Sequence, residues 1–337
     1  MEIKHHIALS VTEKCQAAQA RRHAASLADS LGLSKTDASN VAIIVTELAM
    51  NLAKHAANGE LLLHGLKRQN SVGVEVLALD RGPGMANVGQ CLLDGYSSAG
   101  SPGTGLGAVQ RLSTLFDVHS VPQLGTAVLA RYWSDPKPER FSSDGLEFGA
   151  VCIPKPGEDV CGDGWAMKNV GNRTLILLAD GLGHGLFASE ASQAAIRVFR
   201  QNSPLSLPEI LKVIHESLLG TRGAAAAVTE IDVVMRVVRF AGIGNISSSV
   251  LSSKGARSMV SLSGIVGAEI QKIQEFTYPW PEQAILLMHS DGLTSRWNLD
   301  RYPGILNKCS SLIAGVLYRD YFRRTDDVTV LVARSKD

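Results

Sequence analysis

The chain contains 337 residues, which is long enough for two domains that each bury a hydrophobic core. Its formal net charge is +1 and 19% of its residues are charged, so no overall field directs it to nucleic acid or to an acidic membrane. The five cysteines contain no CxxC pair and no apolar stretch reaches the ~20 residues of a membrane helix, so we expect a cytoplasmic protein with reduced thiols.

A break in composition divides the chain near its middle. Prolines, charges and serines interrupt apolar sequence between Trp133 and Gly145, and this pattern is typical of a linker. The sequence therefore predicts a first domain over 1–133, a linker over 134–145 and a second domain over 146–337.

Hydrophobic periodicity gives the elements of the first half. An Ala-rich helix is predicted at Cys15–Leu31, and a second helix begins near Thr36 or Asp37 and ends near Ala57. Apolar, alternating runs after them predict strands. These strands are Leu61–Leu66, Val72–Leu79 and Thr126–Tyr132. The first half therefore reads as a helical layer on a sheet.

The second predicted helix carries a polar stripe. Glu47, Asn51 and His55 recur at i, i+4 and i+8 beside the apolar stripe, so the three side chains point the same way. By itself, such a stripe is more typical of a solvated helix face than of a binding site.

Two glycine-rich segments follow this helix in the chain. Asp80 ends a predicted strand, where its carboxylate could accept a hydrogen bond from an adenine amino group, and Gly82 and Gly84 would let the backbone approach a planar base. Gly103–Gly107 precedes a predicted helix at Ala108–Leu115, so its N–H groups are suited to phosphate. Each segment alone is also typical of an ordinary turn.

In this order and spacing, the three segments resemble the N, G1 and G2 boxes of the GHKL ATPase superfamily, and within it the anti-sigma-factor serine kinases of the RsbT and RsbW type. The resemblance implies an ATP-binding α/β sandwich over residues 1–133. It also implies that Asn51 ligates the Mg²⁺ of ATP, that Asp80 reads adenine and that Glu47 is the base for a serine hydroxyl. The residues that it places around the nucleotide are Asn51, Asp80, Gly82, Gly84, Gly103, Thr104, Gly105, Leu106 and Gly107.

The second half is dominated by apolar strand-like runs with two helical stretches among them. The predicted strands are Phe148–Ile153, Arg173–Ala179, Ala225–Val238, Ala284–His289 and Val328–Ala333, and the predicted helices are Phe187–Gln201 and Pro208–Leu219.

Acidic residues flank several of these strands. Asp180 follows LILLA, Asp291 follows AILLMHS, and Asp326 and Asp327 precede VTVLV, while Asp163 stands in a Gly-Asp pair. Carboxylates that converge without a cation repel one another, whereas oxygen-rich clusters suit Mg²⁺ or Mn²⁺. One such pair is more typical of a plain turn, but four sites in order predict a metal centre.

The set resembles that of the type 2C, metal-dependent serine/threonine phosphatases, in the compact bacterial branch with SpoIIE, RsbU and RsbX. The resemblance covers residues 146–335 and implies an α-β-β-α sandwich, hence an α+β protein, with two Mn²⁺ or Mg²⁺ ions that activate a water for in-line attack on phosphorus. It implies that Asp180 bridges the ions. The other implied ligands are the Gly181 carbonyl, Asp163, Asp291 and Asp326, with Asp327 as an alternative to its neighbour.

Together, the two resemblances imply a bifunctional bacterial signalling protein, with a STAS-domain phosphoprotein as substrate and a sigma factor or upstream regulator as a further partner. Neither nucleic acid nor a membrane is expected as a partner. Two alternatives stay open. In one, the first domain binds ATP and a sigma factor or STAS partner without transferring phosphate, and in the other the whole protein is a noncatalytic partner-switch scaffold.

Overall fold

The computed structural model describes residues 5–68, 71–92, 105–135, 145–202 and 205–335. The chain forms two compact units. The first comprises Met1–Pro138 and Asn298–Arg319, and the second comprises Glu139–Trp297 and Asp320–Asp337. The predicted second domain is therefore interrupted, because its segment 298–319 belongs to the first unit. Most of the predicted linker lies outside the described residues. Within the described ranges, no helix is long and apolar enough to cross a membrane.

The first unit contains a five-stranded antiparallel sheet in the order β1-β2-β3-β5-β4. Its strands are β1 (Ile7–Ser10), β2 (Glu60–Arg68), β3 (Ser71–Leu79), β4 (Leu115–Val121) and β5 (Gly125–Trp133). Its helices in this part of the chain are α1 (Lys14–Ser30), α2 (Lys35–His55), the short α3 (Val88–Cys91) and α4 (Gly105–Leu112). The two long predicted helices and the three predicted strands are confirmed, whereas β1 and β4 were not predicted and the predicted helix at Ala108–Leu115 ends at Leu112.

Helix α2 positions the polar stripe found in the sequence. Its first turn is capped by Ser34, whose side chain accepts a hydrogen bond from the Asp37 N–H at 3.1 Å. The apolar stripe is buried in the core with strands β2, β3 and β5. This packing fixes the rotation of α2 and therefore the direction of Glu47 and Asn51.

The second unit contains two five-stranded sheets and two helices that pack on the first of them. The first sheet has the order β13-β10-β9-β8-β7 and the second has the order β12-β11-β14-β15-β6. The strands are β6 (Leu146–Ile153), β7 (Asp163–Val170), β8 (Arg173–Gly181), β9 (Ala224–Asp232), β10 (Val237–Ile243), β11 (Ser247–Ser252), β12 (Gly255–Ser258), β13 (Phe276–Pro279), β14 (Ile285–His289) and β15 (Val328–Ser335), and the helices are α5 (Leu186–Asn202) and α6 (Leu207–Leu218).

The single strand predicted at Ala225–Val238 is wrong, because this run forms the hairpin β9–β10. Asp232 Oδ1 accepts hydrogen bonds from the N–H groups of Val234 and Met235, and Arg236 adopts a positive φ of 54°. Val234 and Met235 are apolar but exposed, so the turn lacked the polar composition by which turns are recognised. Strands β7, β11, β12 and β13 and the final helix α7 (Ser310–Tyr321) were also not predicted.

Candidate functional site

In each sheet of the second unit, acidic residues lie at the ends of strands. Asp163 begins β7 and is the direct cross-strand partner of Asp180 in β8. In the other sheet, Asp291 follows the end of β14, and Asp326 and Asp327 precede the start of its antiparallel neighbour β15. Antiparallel pairing therefore places the end of one strand beside the beginning of the next, and the five carboxylates meet.

Hydrogen bonds hold two of these carboxylates in place. Ser290 Oγ donates to Asp163 Oδ2 at 2.6 Å and itself accepts the Thr329 N–H at 2.9 Å, so a residue of one sheet supports an acid of the other. Asn245 Nδ2 donates to Asp291 Oδ2 at 2.8 Å. Such supporting bonds fix the orientation of ligand oxygens at metal centres.

The ionised form of the carboxylates in this cluster is unfavourable unless a positive charge lies nearby. The pKa of Asp163 is raised to about 7, mainly by burial and further by the charges of Asp327 and Asp291, while the Ser290 hydrogen bond acts in the opposite direction. The pKa of Asp180 is raised to about 10, first by burial and then by the charges of the four other acids. Shifts of this kind are typical of functional sites.

The oxygen atoms of the cluster are also suited to bind a divalent ion. Asp163 Oδ1 and Asp327 Oδ2 are buried and meet no hydrogen-bond donor in normal geometry among the described residues. Gly162 leaves space beside them, since a Cβ there would lie 2.6 Å from Asp327 Oδ2. Buried oxygens without donors are costly, and carboxylate oxygens are the ligands that Mg²⁺ and Mn²⁺ prefer.

The adjacent acids Asp326 and Asp327 differ in their surroundings. Asp327 is 2% exposed, and its Oδ1 accepts the Lys155 N–H at 2.9 Å. Asp326 is half-buried, and its Oδ1 accepts the N–H of Asp327 at 2.9 Å. Asp327 thus has a backbone partner in the loop before β7, while Asp326 is the more open of the two.

An arginine that the sequence analysis did not assign lies beside the Asp180 turn. The Leu182 N–H donates to the Gly223 carbonyl at 3.0 Å, which brings Arg222 alongside that turn. A Cβ on Gly183 would lie 3.0 Å from Arg222 Nη1, so the missing side chain makes room for the guanidinium. The guanidinium also stacks over Phe187, 5.0 Å from the ring centre.

The surroundings of Arg222 are those of a group that is available to a ligand. In the part of the chain that the structure describes, no carboxylate forms an ion pair with it. Phe187 is 58% exposed, an unusual position for a large aromatic side chain unless the ring supports a neighbour. The segment RGAAAAVTEID that begins at Arg222 was the only sequence signal for it.

Two other side chains near the centre have structural contacts. His184 Nδ1 lies 2.6 Å from Glu158 Oε1 at the surface. Cys161 is buried, and burial together with a hydrogen bond from Cys152 raises the pKa of its thiol well above the ordinary value. A thiol held in its protonated form is a poor nucleophile.

The candidate nucleotide pocket of the first unit lies between α2 and α4. A Cβ on Gly105, the first residue of α4, would lie 2.9 Å from Glu47 Oε2 and 3.7 Å from both amide atoms of Asn51. Asn51 Nδ2 is buried without a hydrogen-bond partner in the described ranges. The structure therefore brings Glu47 and Asn51 of α2 together with Gly105 at the start of α4.

Asp80 follows β3 and its carboxylate is held by the backbone. Oδ1 accepts hydrogen bonds from the Gly82 N–H at 2.6 Å and from the Thr126 N–H at 3.3 Å. Burial raises the pKa of Asp80, and these hydrogen bonds act in the opposite direction. The carboxylate is thus fixed in one direction at the end of the strand.

The glycines after Asp80 are required by the loop itself. A Cβ on Gly82 would lie 2.8 Å from the His55 carbonyl, and a Cβ on Gly84, where φ is +71°, would lie 2.4 Å from the Val121 carbonyl. Protein atoms therefore lie where a Cβ of either glycine would point, and the approach of a planar base to this backbone stays a prediction.

The remaining predicted nucleotide residues belong to the start of α4 and the segment before it. Gly105, Leu106 and Gly107 form the first turn of α4, and Gly107 is buried. Gly103 and Thr104 lie outside the described residues.

Comparisons with known proteins match the two halves separately. The family described as "Histidine kinase-like ATPase domain" matches residues 10–132, and the family described as "Stage II sporulation protein E (SpoIIE)" matches residues 170–336. The serine/threonine-protein kinase RsbT of Bacillus subtilis is 31% identical over 114 residues, which are 34% of this chain and 86% of RsbT. The phosphoserine phosphatase RsbX of the same bacterium is 27% identical over 186 residues, which are 54% of this chain and 91% of RsbX.

Solved structures also match part of the chain. A chain from a structure described as "The bacterial stressosome: a modular system that has been adapted to control secondary messenger signaling" is 31% identical, with a TM-score of 0.53, over 56% of this chain and 99% of that chain. A crystal structure of RsbX in complex with magnesium shares the fold, with 22% identity and a TM-score of 0.50 over 58% of this chain and 98% of that chain. The chain therefore belongs to the RsbT-like branch of the histidine kinase-like ATPases through its first part and to the SpoIIE-type, type 2C phosphatases through its second.

Proposed function

We propose that the protein is a bifunctional signalling enzyme. The second unit removes phosphate from a phosphoserine or phosphothreonine of a protein, and the first unit binds ATP and transfers its terminal phosphate to a serine. The observation that supports the phosphatase activity most is the meeting of five carboxylates, two of which have buried oxygens without a donor.

In this proposal each residue of the centre has a role. The residues that would hold two Mn²⁺ or Mg²⁺ ions are Asp163, Asp180, Asp291, the carbonyl of Gly181 and Asp326, with Asp327 as the alternative to Asp326. Such ions supply positive charge to the phosphoryl oxygens and make a water acidic enough for in-line attack. Ser290 and Asn245 keep the carboxylates of Asp163 and Asp291 oriented.

Arg222 would bind the phosphate of the substrate. Its guanidinium is charged at all physiological pH values and matches phosphate oxygens with two parallel N–H donors. The stacking on Phe187 restricts its motion, so less entropy is lost when phosphate binds. During hydrolysis the bond between phosphorus and the serine oxygen breaks, and the products are inorganic phosphate and the free serine hydroxyl.

The phosphatase proposal is tested with p-nitrophenyl phosphate and a phosphoserine peptide. We expect hydrolysis that requires Mn²⁺ or Mg²⁺, that EDTA abolishes, and that Asp180→Asn lowers by at least about 100-fold, because Asp180 lies at the centre of the cluster. Glu190→Gln, which removes an exposed carboxylate from α5, is the matched control and should have wild-type activity. Activity that survives EDTA or Asp180→Asn would exclude the proposal.

The proposed kinase activity is supported by the arrangement of Glu47, Asn51 and Gly105 and by the likeness to RsbT. Glu47 would orient or deprotonate the attacking serine hydroxyl, Asn51 would bind the Mg²⁺ of ATP and Asp80 would read adenine. Members of this type of kinase act on small STAS-domain proteins, so we propose a STAS-domain phosphoprotein as the shared substrate, with a sigma factor or upstream regulator as a further partner.

The kinase proposal is tested in the Asp180→Asn background, so that the phosphatase does not remove the product. We expect transfer of labelled phosphate from ATP to a STAS-domain protein encoded in the same genome, and loss of that transfer, but not of ATP binding, in Glu47→Ala. If no phosphate is transferred although ATP and the partner bind, the first unit acts as an ATP-binding sensor, which is the second candidate function. A noncatalytic scaffold is disfavoured, because a cluster of buried carboxylates without a cation costs stability.

A further inference from the structure

The helix before the last strand contributes to the unit that carries the nucleotide pocket. Helix α7 belongs to the first unit as far as Arg319, and the second unit begins again at Asp320. Residues 310–319 of this helix are all buried. A helix that is buried on every side is a core element of the fold rather than a surface addition.

Helix α7 packs on the sheet of the first unit. Gly315 lies against β3, since a Cβ there would be 3.3 Å from a methyl carbon of Leu79. One turn earlier, Ser311 Oγ accepts a hydrogen bond from Arg131 Nη2 at 2.7 Å and donates to Glu75 Oε2 at 3.0 Å. Ser311 therefore completes a buried ion pair between β5 and β3.

The segment before α7 is fixed to the edge strand β4. Lys308 Nζ pairs with Asp117 Oδ1 at 3.0 Å, and the Cys309 N–H donates to Asp117 Oδ2 at 2.9 Å. Helix α7 thus enters the first unit through defined polar contacts, which fix its register along the sheet.

The last residue of α7 in the first unit reaches the backbone beneath the proposed adenine site. Arg319 is 7% exposed, and its Nη1 donates to the Asp80 carbonyl at 2.8 Å and to the Thr126 carbonyl at 3.3 Å. The Thr126 N–H in turn donates to the Asp80 carboxylate. Arg319 therefore bridges the two backbone segments that hold this carboxylate.

We infer that Arg319 is a positioning residue for adenine recognition, so that a residue of the phosphatase-family sequence completes the ATP pocket of the first unit. The inference rests on the proposed ATP binding. Arg319 lies 239 residues from Asp80 in the sequence, within the stretch that matches the SpoIIE family. A guanidinium holds two carbonyls in fixed geometry, and without it the strand end can shift and turn the Asp80 carboxylate away from the adenine amino group.

The test uses the full-length protein and compares the dissociation constants of ATP, of inosine triphosphate, which lacks the amino group, and of inorganic tripolyphosphate. We expect wild type to prefer ATP over inosine triphosphate by about tenfold or more, the effect of one good hydrogen bond. Arg319→Ala should lose most of this preference while it binds tripolyphosphate as wild type does. Arg319→Lys, which keeps the charge but replaces the rigid planar guanidinium by a flexible ammonium group, should lose part of it.

Arg301→Ala is the matched control, because it removes an exposed arginine from the same segment and should keep the preference. The inference is overturned if Arg319→Ala folds and keeps the wild-type ratio of the dissociation constants of ATP and inosine triphosphate. If that variant does not fold, an unchanged ratio in Arg319→Lys overturns it equally. If wild type binds ATP no better than tripolyphosphate, the proposed adenine site fails, and the inference fails with it.

Discussion

The carboxylates of Asp163 and Asp180 hold protons in the folded protein at pH values where an unfolded chain has lost them. Their pKa values are raised to about 7 and about 10, in each case first by burial and then by neighbouring acids. An aspartate in an unfolded chain titrates near pH 3.9. The folded state therefore binds more protons than the unfolded state above about pH 4, and the metal-free protein loses stability as the pH rises from there through 7.

The raised pKa values of Asp163 and Asp180 give a prediction for metal binding. Divalent ions must displace these protons, so we expect Mn²⁺ to bind more tightly, and to raise Tm by more, at pH 8 than at pH 6. The measurement is thermal unfolding of EDTA-treated protein with and without Mn²⁺ at both pH values. Asp163→Asn, which removes one of the titrating groups, should flatten the dependence, whereas Glu190→Gln should leave it unchanged. An equal increase in Tm at both pH values would contradict the prediction.

The second prediction at the scale of single residues concerns Arg222. A hydrogen bond to a charged group contributes about 1.5–3 kcal/mol, so Arg222→Ala should raise KM for a phosphoserine peptide by about tenfold or more and change kcat less. Arg222→Lys should recover part of the loss, because it keeps the charge without the two parallel donors. The binding of inorganic phosphate as a product inhibitor should weaken in parallel.

Arg197→Ala, which removes an exposed arginine from α5, is the control for the loss of charge. Phe187→Leu should have a weaker effect than Arg222→Ala, since it removes the stacked ring but keeps an apolar side chain. If KM for the peptide and inhibition by phosphate stay at wild-type values in Arg222→Ala, Arg222 does not bind the phosphate.

The turn after β14 illustrates how closely the strand ends must approach for the centre to form. Gly292 follows Asp291, and a Cβ there would lie 1.9 Å from the carbonyl oxygen of Asp327. We predict that Gly292→Ala lowers the free energy of unfolding by about 1–3 kcal/mol, because backbone atoms must move apart, and that it weakens Mn²⁺ binding as Asp291 and Asp326 separate. Urea unfolding and a Mn²⁺ titration measure the two effects.

Gly89→Ala is the matched substitution, because the nearest atom to its Cβ is Asn87 Oδ1 at 3.4 Å and the residue lies within α3. It should be neutral or slightly stabilising. Equal stability and equal Mn²⁺ affinity in Gly292→Ala and wild type would show that the strand ends can separate without harm.

The elements differ in how far their sequences determine them. Helices α1 and α2 were predicted to within a few residues, because a long amphipathic pattern is a local signal. The hairpin β9–β10 was predicted as one strand, because its turn consists of apolar residues and is made by the Asp232 carboxylate and a positive φ. Helix α7 was not predicted, since it is buried on all sides and lacks the periodic polar face that identifies a helix.

At the scale of the whole molecule, the chain passes between the two units after Pro138, after Trp297 and after Arg319. Helix α7 therefore belongs to the first unit, while the chain on both sides of its segment belongs to the second. Unfolding of either unit must disturb the ends of this segment. Two domains joined by one linker would be free of that constraint and could unfold separately.

We therefore predict a single cooperative transition in scanning calorimetry, which ATP and Mn²⁺ each shift to higher temperature. Asp180→Asn should lose the shift caused by Mn²⁺ and keep the shift caused by ATP. Two separate transitions, each moved by only one ligand, would show that the shared segment does not couple the unfolding of the two units.

The sequence by itself determined the two families and predicted the residues that we propose for their chemistry. Glu47 and Asn51 are one helical turn apart, and Asp180 and Asp291 end apolar strands, so neighbours in the chain already define their placement. Only the tertiary structure decided which side chains support them. Ser290, Asn245 and Arg319 contact predicted site residues across sheets or from distant segments, and Arg319 does so over 239 residues. Such contacts depend on strand register and on where a helix packs, and no pattern local to the sequence fixes either of these.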